Sequence, residues 1–199
     1  MKRVIIVHQW GGSPESDFYS WLRDELEQRG VEVVVPAMPN SEAPEIESWV
    51  ETLSEVVGVL DEDTILVGHS VGCQTILRYL AGQVLVDMQS SKETSVGGIV
   101  LVAPWLELSP EVTSDPEQMK IAGPWLENLP NPTLISGRAE KMSALFSDND
   151  LYVPLENIEL LNEYGFTSEV FTNRYHFDAE SGITEVPEVL EKILEISNV

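Results

Sequence analysis

Ser70 stands inside TILVGHSVGCQT, residues 64–75, with Gly68 and Gly72 two positions away on either side. An apolar run, Ile65–Val67, leads into it and a helical pattern follows. This is the G-x-S-x-G arrangement of a strand that turns sharply into a helix and holds a serine hydroxyl at the apex. The glycines are expected because a side chain at either position would meet the neighbouring strand or helix. The helix N-terminus then directs its free N–H groups and positive dipole end toward the serine oxygen.

A serine hydroxyl is a weak nucleophile at neutral pH and needs an adjacent base. Imidazole suits that task because its pKa lies near neutrality. The chain has three histidines: His8, His69 and His176. His69 adjoins the serine, but on this turn its side chain is expected to point away from the apex. Elbows of this type are followed in chain order by a carboxylate and then the histidine, an order only His176 satisfies. Asp148 and Asp150, both in the loop SDNDLYVP, are candidates for the carboxylate that would fix the imidazole tautomer. A tetrahedral intermediate also needs two N–H donors. Val71, directly after the serine, is one candidate. Trp10, in the glycine-containing loop His8–Gly12, is the other, with Gln9 as its alternative.

Strands alternating with amphipathic helices must position these residues. The spacing predicts strands over Arg3–Val7, Val31–Val35, Ile65–Val67, Val96–Val102, Lys141–Phe146 and Ser168–Thr172. Helices are expected over Ser16–Arg29, Glu45–Leu60, Ser70 to about Gly82, Pro154–Tyr164 and Val186–Ile196, with a polar loop over Asp87–Ser95. This order implies an α/β domain, a mostly parallel sheet of about six strands with helices on both faces. Residues 1–199 read as one such domain. The segment 105–133, rich in Trp, Leu and Pro, reads either as a small cap over a pocket or as a helix packing on the sheet. Leu134 and Ile135 fit either the fifth strand or a separate turn.

Bulk composition excludes several function classes. The chain has 199 residues and a formal net charge of -23. That balance argues against nucleic acid and anionic membrane surfaces as partners, and disfavours acidic substrates. It is compatible with a high-salt setting, although the acids are mainly Glu. No apolar run approaches the length of a membrane span. The short apolar run at the N-terminus reads as a strand, so a cytoplasmic location is expected. The single cysteine, Cys73, permits no internal disulfide and reads as a small buried hydrophobe. The histidines lack ligand spacing to one another or to Cys73, so neither a metal nor another cofactor is expected. Oligomeric state and protein partners stay open.

The ordered set VIIVHQWGGSP, ILVGHSVG, SDNDLYVP and YHF resembles the α/β-hydrolase superfamily. Within it the chain looks most like the small serine hydrolases that include YdeN-like proteins and the retinoblastoma-binding serine hydrolase. The resemblance covers nearly the whole chain and is weakest over residues 105–140. It implies Ser70 as nucleophile and His176 as base. It also favours Asp150, whose D-x-x-V-P context matches the family's acid, over Asp148. Two positions depart from the family pattern: Gln9 stands where a glycine usually follows the loop histidine, and Tyr175 stands where a glycine usually precedes the base. The resemblance implies hydrolysis of small carboxylic esters; with the triad residues, the reading is a serine hydrolase that acts on a small ester, thioester or amide through an acyl-enzyme. The alternative is a protein-interaction module on a hydrolase scaffold with weak or vestigial activity. Acyl transfer would use the same residues.

Overall fold

The computed structural model describes residues 2–90 and 94–197. Six strands form one sheet: β1 (Arg3–Val7), β2 (Glu32–Val34), β3 (Thr64–His69), β4 (Gly98–Val102), β5 (Met142–Ser147) and β6 (Thr167–Phe171). Their order is β2-β1-β3-β4-β5-β6, and every pairing is parallel. Strands β1, β3 and β4 are buried along almost their whole length, as parallel strands covered on both faces must be.

The main helices are α1 (Tyr19–Glu27), α2 (Ile46–Val57), α3 (Val71–Ser90), α6 (Asn157–Glu163) and α7 (Pro187–Ser197). Helix α1 contacts α7, and α2 contacts α3. Right-handed crossovers that first run outward from β1 and then back across it put these two pairs on opposite faces. The reversal also creates a switch point between β1 and β3. Loops leaving their carboxyl ends diverge there and open a crevice.

One expectation needs correction, and one open choice is resolved. The third helix does not stop at Gly82 but continues to Ser90, so Asp87 lies on a helix and not in a loop. A single glycine inside a helix costs only about 1 kcal/mol. Asp87 is held there by Arg138 and by the N–H and hydroxyl of Thr94, which also keep its carboxyl below the usual range. Part of the expected loop, residues 91–93, lies outside the described residues. Leu134 and Ile135 belong to a 3-10 turn over Pro132–Leu134 and its end, not to β5.

The segment after β4 forms two short helices, α4 (Pro110–Thr113) and α5 (Pro116–Leu126). Each begins with proline, whose missing N–H costs nothing in a first turn. Asp115 caps α5 by accepting the N–H groups of Glu117 and Gln118. The segment is fastened to the body. Trp125 donates its indole N–H to Pro44 O at 3.0 Å, and Arg78 lies over its ring. Asn157 Oδ1 accepts the N–H groups of Leu106 (2.6 Å) and Glu107 (2.9 Å), while its amide nitrogen donates to Glu107 O and Pro154 O.

Candidate functional site

Ser70 follows the carboxyl end of β3 with φ 54°, in the left-handed region. Its N–H donates to Val102 O on β4 at 2.9 Å, which holds the strained turn in place. A Cβ at Gly72 would lie 2.2 Å from Val7 O, and one at Gly68 would lie 2.8 Å from the Cys73 backbone. Both are far inside contact distance, so the elbow exists only with glycine at these places.

The loops after β5 and β6 carry the carboxylates and the third histidine. His176 Nδ1 lies 2.8 Å from Asp150 Oδ2. The other oxygen of Asp150 accepts the N–H groups of Tyr152 and Val153, which fixes the carboxylate. Asp148 does something else: it accepts the Asn173 N–H at 2.9 Å and ties the two loops together. Asn149 Oδ1 accepts the Tyr175 N–H and the Ser147 hydroxyl. That bond accounts for a non-glycine residue at 175. Tyr175 adopts φ 50°, the conformation a glycine would take freely, and Asn149 helps hold it.

The three imidazoles have different freedom. His8 donates from Nδ1 to Gln9 O and accepts the Met38 N–H at Nε2. Burial lowers its pKa, so it stays neutral and structural. His69 is fully buried, with Nδ1 2.7 Å from Tyr19 Oη and Nε2 2.7 Å from His176 O. Burial, then the nearby His176, push its pKa down to about 4. His176 has Asp150 on Nδ1, and among the described residues nothing pairs with its Nε2. With Nδ1 protonated toward the carboxylate, Nε2 presents a lone pair.

Ser70 and His176 line one cavity of about 530 Å³, together with Trp10, Val71, Trp105, Tyr152 and the wall of α4 and α5. Gln9 donates its backbone N–H to Tyr19 Oη. No such acceptor is paired with the N–H groups of Trp10 and Val71 among the described residues. Asp17, Glu42, Asp178 and Glu180 also line the cavity, and among the described residues no Lys or Arg does.

Two contacts at the site escaped sequence reasoning. Trp105 donates its indole N–H to Ser70 Oγ at 3.3 Å, and the Tyr152 ring stands perpendicular to that of His176, with centroids 5.2 Å apart. A signal for Trp105 exists: it lies just past the carboxyl end of β4, beside the switch point. Cys73 is buried, and burial pushes its thiol pKa up, as a packing cysteine requires. Among the described residues no cluster of three His, Cys, Asp or Glu is arranged to hold a metal ion. No helix among them is long and apolar enough to cross a membrane.

An all-parallel sheet with a serine elbow at its switch point defines an α/β-hydrolase architecture. Residues 4–195 match the model of the serine hydrolase family, and the chain belongs to that family. It is 28% identical over 197 residues to YdeN of Bacillus subtilis (strain 168), covering 96% of this chain and 93% of YdeN. The crystal structure of the B. subtilis ydeN gene product superposes with a TM-score of 0.86 at 26% identity, each chain fully covered. A monoacylglycerol lipase from Paleococcus ferrophilus shares the fold, with a TM-score of 0.70 at 18% identity over 99% of this chain and 95% of the lipase. Est1E from Butyrivibrio proteoclasticus, solved with ferulic acid bound, also shares it, with a TM-score of 0.70 at 16% identity over 100% and 90%.

Proposed function

We propose that the chain hydrolyses small carboxylic esters through a Ser70–His176–Asp150 triad and an acyl-enzyme. One observation carries this reading. Of three imidazoles, only His176 combines a free Nε2 with a carboxylate on Nδ1, and it faces the cavity that holds the strained Ser70. His176 takes the Ser70 proton as Oγ attacks the acyl carbon, and Asp150 keeps the imidazole in the required tautomer. The oxyanion forms toward the N–H groups of Val71 and Trp10, with Gln9 excluded by its bond to Tyr19. The Ser70–His176 hydrogen bond closes in the Michaelis complex, where such contacts tighten. His176 then protonates the leaving alcohol, activates water and returns the proton to Ser70. Segment 105–133 serves as a cap within a single domain, since Leu108, Val112, Gln118 and Ala122 all face the cavity. A monoacylglycerol lipase among the proteins of this fold motivates ester chemistry by analogy.

The test is labelling with a fluorophosphonate probe beside turnover of p-nitrophenyl esters of rising chain length. The native protein should label and turn over, and Ser70→Ala should do neither. Folded native protein that fails to label, or labels as Ser70→Ala does, overturns the reading.

A further inference from the structure

Behind Ser70 runs a chain of hydrogen bonds that the proposed mechanism does not use. It begins at the loop after β1 and ends at the loop after β6. Gln9 N–H donates to Tyr19 Oη at 3.0 Å, Tyr19 Oη lies 2.7 Å from His69 Nδ1, and His69 Nε2 lies 2.7 Å from His176 O. The chemistry fixes every proton. A carbonyl oxygen only accepts, so His69 Nε2 carries the hydrogen and donates to His176 O. The neutral ring then has a lone pair at Nδ1, so Tyr19 donates its O–H there. The tyrosine oxygen is left to accept the Gln9 N–H. Asp17 also lies against the Tyr19 hydroxyl and helps keep it protonated.

We propose that Tyr19 and His69 are positioning residues: a buried relay that holds the base-bearing loop at His176 and the oxyanion loop at Gln9–Trp10 in register across Ser70. The inference rests on the triad reading of the site. Its mechanical logic lies in the backbone around His176. Tyr175 and Phe177 both sit in the left-handed region, at φ 50° and 57°. Bulky residues hold that conformation only when their surroundings over-determine it. The His69 bond to the carbonyl between them is one such restraint. At the other end, Tyr19 occupies the Gln9 N–H and so leaves the Trp10 N–H as that loop's donor.

Burial supports the assignment. Tyr19 and His69 are both 0% exposed. Desolvation raises the Tyr19 pKa well above its ordinary value and holds His69 neutral, with Asp17, Asp178 and His176 as the titratable groups that act on it. Phe18 closes the remaining side, its ring 5.3 Å from that of His69. A buried histidine kept only for packing would need neither a tyrosine hydroxyl on one nitrogen nor a site carbonyl on the other.

The experiment compares native protein with Tyr19→Phe, His69→Gln, His69→Asn and Ser70→Ala. The Gln amide nitrogen reaches the Nε2 position and keeps the donor to His176 O, whereas the Asn oxygen takes the Nδ1 position and loses that donor. Tyr19→Phe should lower kcat and the fluorophosphonate labelling rate about tenfold, the equivalent of one lost hydrogen bond, with KM nearly unchanged. His69→Gln should retain more activity than His69→Asn. Nitrogen-15 spectra of histidine-labelled native protein should show His69 as the Nε2–H tautomer. An unchanged labelling rate in Tyr19→Phe, a loss confined to KM, equal activity in the two His69 variants, or an Nδ1–H tautomer overturns the relay. Should native protein label no better than Ser70→Ala, the triad reading fails instead, and the tautomer still decides whether the hydrogen-bond chain exists. If Tyr19→Phe does not fold, the His69 pair and the tautomer carry the decision.

Discussion

One side of the cavity is made of strand ends, and the other is made of α4 and α5. On the strand side, Ser70, His176 and Asp150 are held by backbone strain and by hydrogen bonds from several loops. On the helical side, Leu108, Val112 and Ala122 present apolar surface and no titratable group. The first side is built to hold protons and charge at fixed atoms, which tolerates almost no displacement. The second is built to fill space, which tolerates exchange. Changes on the strand side should therefore move turnover, and changes on the helical side should move substrate preference.

The sharpest test of this contrast lies within two residues of the same loop. Asp150→Asn should cost on the order of 10⁴-fold in kcat by tautomer loss, while Asp148→Asn should cost less than about tenfold. Steady-state kinetics on a short p-nitrophenyl ester reads both. The reverse ranking would move the acid two residues upstream.

The next effect concerns stability and the locked imidazole. His69 has a folded pKa of about 4 against an ordinary 6.5, so below 6.5 the unfolded chain binds the proton and the folded chain does not. The stability contributed by neutral His69 is complete above 6.5. It falls as the pH drops toward 4 and is level below that, a loss of about 3 kcal/mol. Urea denaturation between pH 7 and 4 should show this slope in the native protein and a shallower one in His69→Gln. Equal slopes would detach His69 from the acid sensitivity of the fold.

Asn157 joins the two sides, and its loss separates position from packing. Asn157→Ala strands the N–H groups of Leu106 and Glu107 and the Glu107 carbonyl, and should destabilise by about 2–3 kcal/mol. For a chain of this size that is a Tm drop of roughly 5–10 °C in a thermal melt. A smaller drop would mean that water replaces the amide.

On the helical side, Val112→Phe should lower kcat/KM for long-chain esters about tenfold and leave acetate esters nearly unchanged. A uniform loss across chain lengths would assign Val112 to the machinery. The smallest effect comes from the rim. Glu42→Gln and Glu180→Gln should raise kcat/KM for a carboxylate-bearing ester by about twofold at low salt, a gain that disappears near 1 M salt.

Much of the site is local enough to be read from residue order. Gly68 and Gly72 follow from a turn with no room for a Cβ, and the strand and helix periods placed all six strands to within a residue or two. Helix α3 was harder to bound, because its last turns are held by Arg138, far along the chain. Trp105 left no periodic trace, since its bond to Ser70 Oγ is one side-chain contact across two strands.

By itself the sequence determined the elbow, the alternation that makes a parallel sheet, and the chain order of serine, carboxylate and histidine. These rest on backbone sterics and side-chain periodicity, which act between near neighbours. Chain order and the D-x-x-V-P context favoured His176 and Asp150, but their meeting, and the ring nitrogen left free, are set by long-range contacts that only the tertiary structure decides. Those contacts depend on Met38, Tyr19 and Asp150 arriving beside particular ring atoms. Contacts between single side chains far apart in sequence exist only once the strands are paired and the loops at their ends are brought together.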